Sequence, residues 1–199
     1  MQARSIASTE RMLDAAERLL SDHGPDAMTV EAVVAEAGTS IGSFYTRFGD
    51  RAGLLVAMQD RFLGRLEASM TEAFAGALDG TPLDQAIAHL CEAFFKAFSE
   101  HRNAFVAYMI QSRADPVMRA RGAQASLAAA RLVRAIIDRH KAEVRAHADT
   151  AADTVYRTLF ALATQEVMFD PNEVSEIEMS LEQRAAHVAS MLVCYLERT

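Results

Sequence analysis

Apolar positions recur at spacings of three and four along almost the whole chain, and no stretch alternates in the manner of a strand, so the pattern predicts helices throughout. Met12, Leu13, Ala16, Leu19 and Leu20 mark a first helix from about Thr9 to His23, stopped at Gly24-Pro25, with residues 1–8 as a mobile lead-in. Val30, Val33, Val34 and Ala37 mark a second, capped by Thr29 and ended by Gly38, where the backbone is expected to need a positive φ. A third, Ser40 to Thr46, is too short to be stable without neighbours. Its Ile41 and Phe44, with Phe48 just beyond, are expected to face inward. From Asp50, the residues Leu54, Leu55, Met58, Phe62, Leu66, Met70 and Phe74 carry a long helix to Leu78, closed by Asp79-Gly80 and followed by a Thr81-Pro82-Asp84 helix start. Further helices are expected over about 82–99, 101–113, 116–146, 149–169 and 176–198, separated by His101-Arg102-Asn103, Asp115-Pro116, His147-Ala148-Asp149 and Asp170-Pro171-Asn172. The fold class is all-α: a three-helix head over 1–50, a linking helix over 50–78 and a helical domain over 65–199, with the functional boundary within 61–69.

Two short helices meeting at Gly38, with a third starting just beyond, suggest a helix-turn-helix. If Ile41 and Phe44 point inward, Thr39, Ser40, Gly42, Ser43, Tyr45, Thr46 and Arg47 point outward, a small, hydroxylated and cationic surface suited to a DNA major groove. Asp50 caps the next helix, which begins with Arg51. The runs MLDAAERLL (Met12 to Leu20), TVEAVVAEAG (Thr29 to Gly38) and SFYTRFGDR (Ser43 to Arg51), with Gly24 and Leu54-Leu55, resemble the DNA-binding domain of the tetracycline-repressor (TetR) family of bacterial transcription regulators. The resemblance covers about the first 65 residues. It implies that Thr29, Tyr45 and Arg51 touch phosphates, that residues 39–47 read bases, and that the second domain binds a small molecule. The family often has Lys where this chain has Arg51, which keeps the charge but changes the donor geometry.

Composition adds one complication. The chain has 199 residues, 51% hydrophobic and 24% charged, ordinary for a soluble globular protein, yet its net charge is −7. Residues 1–51 hold five arginines, no lysine and eight carboxylates, a net of −3, so the head is not a basic coat for nucleic acid. Binding is expected to rest on a few local contacts, with Arg4 as an arm beside Arg47 and Arg51, and to weaken with salt. No uncharged apolar run of spanning length and no signal-peptide core occur, so a cytoplasmic protein without membrane contact is expected. Cys91 and Cys194 are expected as reduced, buried thiols.

Leu90 to Met118 is the stretch richest in large soft side chains. Cys91, Phe94, Phe95, Phe98, Phe105, Tyr108, Met109 and Met118, with Tyr156, Phe160 and Met168, are the candidate lining for an apolar or aromatic effector. MLVCYL (Met191 to Leu196) and LFALA (Leu159 to Ala163) are apolar over more than one face, so Leu159, Leu162, Val188, Met191, Leu192 and Tyr195 are expected to build a two-fold dimer interface. His140, Glu143 and His147, at i, i+3 and i+7, form a candidate divalent-metal face, but His140 and His147 also suit a helix C-terminus, and no metal or cofactor is expected. Motifs for a serine nucleophile, zinc protease, Walker loop or dinucleotide site are absent, which argues against an enzyme. The expectation is a homodimeric, ligand-responsive regulator, most simply a repressor, on a palindromic double-stranded operator. The competing reading is an all-α carrier or enzyme whose helix-turn-helix only packs.

Overall fold

A computed structural model describes residues 2–77, 80–146 and 148–197, so Leu78, Asp79 and His147 lie outside the described residues. The elements are α1 (Gln2–His23), a 3-10 turn (Pro25–Ala27), α2 (Val30–Glu36), α3 (Ile41–Phe48), α4 (Arg51–Ala77), α5 (Leu83–Glu100), α6 (Arg102–Ser112), α7 (Pro116–Arg139), α8 (Ala148–Met168), α9 (Pro171–Val174) and α10 (Leu181–Glu197). Among the described residues there is no strand.

Three boundaries depart from the periodicity. The first helix begins at Gln2 rather than Thr9, so the expected lead-in is helical; the side chain of Arg4 lies outside what is described. α7 stops at Arg139 instead of 146, because the chain turns at His140 and the Arg145 and Ala146 amides donate to the Leu196 carbonyl at 2.7 and 3.1 Å. Those amides satisfy a carbonyl at the end of α10 that its own helix leaves open. α10 starts at Leu181 rather than 176, since Ser180 and Gln183 form a reciprocal cap: the Ser180 Oγ accepts from the Gln183 amide at 3.2 Å, and the Gln183 Oε1 accepts from the Ser180 amide at 2.8 Å.

Two compact units result. The first comprises residues up to Gly64 together with His101–Gly122; the second comprises Arg65–Glu100 with the residues from Ala123 onward. Residues 101–122, expected in the second domain, therefore pack with the head. Met12, Leu20, Met28, Val33, Phe44, Leu54 and Met58 are buried in the first unit. Leu83, Ile87, Leu90, Cys91, Phe95, Ile136, Val155, Leu159 and Leu196 are buried in the second.

Candidate nucleic-acid interface

Two caps and one anchor set the reading helix. The Thr29 Oγ1 accepts from the Ala32 amide at 3.1 Å and the Ser40 Oγ from the Ser43 amide at 3.2 Å, each filling a first-turn donor. Between them Gly38 turns the chain at φ 58°, the left-handed conformation expected there. Phe44 is fully buried and holds α3 down, while Tyr45 rests edge-on against it at 5.6 Å and stays 51% exposed. Ile41 is a correction: it is 47% exposed, because it lies in the first turn of a short helix, one turn ahead of Phe44, where neighbouring helices no longer cover it. Gly42, Tyr45 and Thr46 are outward beside it, as are Thr29 and Ser40, with Thr39 and Ser43 half-buried.

The hydroxyls retain useful chemistry. A capping oxygen that accepts from an amide keeps its own O–H free to donate, so Thr29 and Ser40 each present a donor at a helix N-terminus, where an anion is favoured. The Thr46 Oγ1 instead donates to the Gly42 carbonyl at 2.8 Å and keeps acceptor lone pairs. The two arginines differ from expectation. The Arg47 Nε donates to Thr9 Oγ1 at 2.8 Å and its Nη1 to the Ser43 carbonyl and hydroxyl, both at 3.1 Å, which folds the side chain back onto α1. The Arg51 Nε donates to the Met28 carbonyl at 3.0 Å and its Nη2 to Pro25 at 2.7 Å, bracing the turn before α2. Both cations tie the domain together in this arrangement, since carbonyls and hydroxyls of neighbouring elements lie within their reach.

The residues expected around an effector fall into two clusters. In the first unit Phe62 meets His101, Phe105 and Tyr108 at 5.3, 5.1 and 5.5 Å, with Met109 half-buried and Met118 fully buried. In the second, Phe94 stacks on Phe98 at 5.1 Å and Tyr156 and Phe160 close the ring, with the Tyr156 hydroxyl 2.6 Å from Ser126. Burial pushes the Cys91 thiol there up to about 12. Met168, expected with them, is 41% exposed. A separate cavity of about 850 Å³ lies among Phe95, Leu162, Glu166, Phe169, Ile177, Arg184 and Val188, and of the expected effector residues only Phe95 lines it. Of the expected dimer residues, Leu159 and Leu192 are 0% and 2% exposed within their own unit, so both face inward, not toward a partner. Met191 is 50% exposed, and Leu162, Val188 and Tyr195 are half-buried. Cys194 is exposed, against expectation.

Residues 12–58 match the sequence profile of "Bacterial regulatory proteins, tetR family". Over that stretch the chain is similar to the TetR family. The family is one of regulators rather than enzymes. Three solved structures of similar fold show how far the likeness extends. A TetR transcription regulator from Haloarcula marismortui has TM-score 0.75 and 19% identity, covering 95% of this chain and 97% of that one. The TetR-family regulator PfmR from Thermus thermophilus has TM-score 0.65 and 24% identity, covering 94% and 100%. The multidrug binding protein EbrR, complexed with imidazole, has TM-score 0.64 and 20% identity, covering 92% and 93%. No curated protein matches the chain.

Two features of this head were not anticipated. Gly53 lies where a Cβ would come within 1.9 Å of the Phe48 carbonyl oxygen, so glycine is what lets α4 start so close to the end of α3. Arg61 gathers three carboxylates of α1, a link that Glu10, Asp14 and Glu17 at i, i+4 and i+7 could have signalled. In the metal candidate, both ring nitrogens of His140 face carbonyl oxygens, Ile136 at 2.9 Å and Thr81 at 2.8 Å, while Glu143 is exposed. No described helix is long and apolar enough to cross a membrane.

Proposed function

We propose that this protein is a homodimeric, ligand-responsive repressor that binds a palindromic operator and is released by a small apolar or aromatic effector. The observation that carries the reading is α3 itself, anchored by a fully buried Phe44 while Gly42, Tyr45 and Thr46 stand exposed. Tyr45 and the capping hydroxyls of Thr29 and Ser40 touch phosphates. Gly42, Ser43 and Thr46 meet base edges, and Thr39 and Arg47 hold α3 from beneath. Two copies, paired through the Met191 side of α10 and the Leu162 side of α8, present α3 to successive major grooves about 34–36 Å apart. The effector enters the Phe94, Phe98, Tyr156 and Phe160 cluster, whose apolar lining suits it; EbrR, a protein of the same fold, is described as multidrug binding. The effector acts only through a difference in affinity for the operator-competent and released states. A mobility shift with DNA from upstream of its own gene, at low and moderate salt, tests the reading. A shift that weakens with salt and recedes with a binding effector is expected, and no shift at either salt overturns it.

A further inference from the structure

One turn of α1 touches three other elements of the first unit. Ser8 lies 3.4 Å, hydroxyl to hydroxyl, from Thr39; Thr9 receives the Arg47 Nε of α3 at 2.8 Å; and the Arg11 Nε donates to the Ala37 carbonyl at the end of α2 at 3.2 Å. Glu10, in the same turn, is bound by Arg61 of α4 at 2.9 Å. Arg61 also binds Asp14 at 2.8 Å and lies against Glu17 with two nitrogens at 2.9 and 2.7 Å, so its planar fork spans about two turns of α1. Its side chain is only 12% exposed, against 53, 47 and 28% for the three carboxylates. Burial works against the guanidinium charge, but Glu17, Asp14 and Glu10 together outweigh it and hold Arg61 above its ordinary pKa. Tyr108 of α6 is buried close enough to feel the charges of both Glu17 and Arg61.

We propose that Arg61 is a positioning residue for DNA recognition: by clasping Glu10, Asp14 and Glu17 it fixes α1 lengthwise on α4, and the Ser8–Arg11 turn hands that setting to the reading helix through Thr9 and Arg47. Apolar packing alone permits a helix to slide or roll by small amounts. A charged clasp of three hydrogen bonds, with the Nη2 close to Glu17 as a further charge contact, does not, because a displacement breaks directional contacts in a partly buried place. Arg61 touches no DNA in this scheme. Its effect is on fit, and therefore on the discrimination between operator and other DNA rather than on general attraction.

This rests on the DNA-binding reading, and the experiment separates the two. Fluorescence anisotropy of the intact chain is measured on an operator duplex and on a scrambled duplex of equal length, for wild type, Arg61→Gln, Arg61→Lys, Thr9→Val and Arg61→Gln/Thr9→Val. Arg61→Gln should cut the operator-to-scrambled affinity ratio about tenfold while scrambled-DNA binding changes less than about twofold, and Arg61→Lys should restore only part of the ratio. Thr9→Val should lower the ratio in the same direction, and the double variant should lose less than the product of the single losses. If Arg61→Gln does not fold, Glu10→Gln, on the exposed rim of the clasp, should give a smaller loss of the same kind. A ratio unchanged in Arg61→Gln or Glu10→Gln, full restoration by Lys, or losses that simply multiply would each overturn the positioning role. A wild-type chain with no operator preference would overturn the DNA-reading proposal beneath it.

Discussion

The two units of this molecule are held by different kinds of contact. The first is pinned by directional polar links: Arg61 to three carboxylates, Arg47 to Thr9, Arg51 to Met28 and Pro25, Asn103 to the Ser21 carbonyl at 2.8 Å, and Gln59 to the Met118 carbonyl at 3.1 Å. The interior of the second holds aromatic packing around Phe94, Phe98, Tyr156 and Phe160, with polar links among the described residues such as Ser126 to Tyr156 and Glu166 to Arg184 at 2.8 Å. A surface that must match the fixed geometry of a duplex is served by contacts with direction. On the proposed function, a core that takes up a small molecule is served by an apolar, aromatic lining.

Removing the anchor gives the largest expected break. Phe44→Ala should destabilise the first unit by about 3–5 kcal/mol, read as a lowered midpoint in urea with loss of DNA binding, because no neighbour can fill the space under α3. Next, Gly53→Ala should cost about 1–3 kcal/mol, since its Cβ cannot share space with the Phe48 carbonyl; operator affinity should fall with helical content kept.

Helix content and order were legible in the sequence because the apolar period is long and unbroken, and Thr29, Ser40 and Gly38 were legible because capping and left-handed turns are local chemistry. The directions of Arg47 and Arg51 were not. A long cation goes to whichever acceptors the tertiary fold brings near, and Thr9 and Met28 are distant in sequence. Ile41 misled for a related reason: helical spacing says which side a residue is on, not whether a neighbour reaches that far. The end of α7 depended on a carbonyl of α10, which no local pattern encodes, whereas the Ser180–Gln183 cap stood in the sequence and could have placed the start of α10. The spread of effector candidates over two units follows from α6 packing with the head.

In the second unit the corresponding probe is pH. The Cys91 thiol is held above its ordinary value, so the folded state keeps this proton after the unfolded chain has lost it. Its contribution to stability is complete below about pH 9 and is lost as the pH rises toward 12. The free energy of unfolding should fall by on the order of 1–2 kcal/mol by about pH 10.5, and Cys91→Ala should flatten that slope. A smaller effect separates folding from recognition. Gly42 sits mid-surface, and a methyl group added there would meet nothing within 4 Å, so Gly42→Ala should stabilise α3 by up to about 1 kcal/mol in thermal melts while weakening operator binding.

The most direct measurement is binding-site selection from a random duplex pool with the intact chain, wild type beside Tyr45→Ala. The wild type should enrich a two-fold symmetric sequence with half-sites about one helical turn apart, and Tyr45→Ala should bind every enriched sequence about tenfold more weakly without changing their order. No enrichment by the wild type, or enrichment and affinity untouched by Tyr45→Ala, would contradict the account.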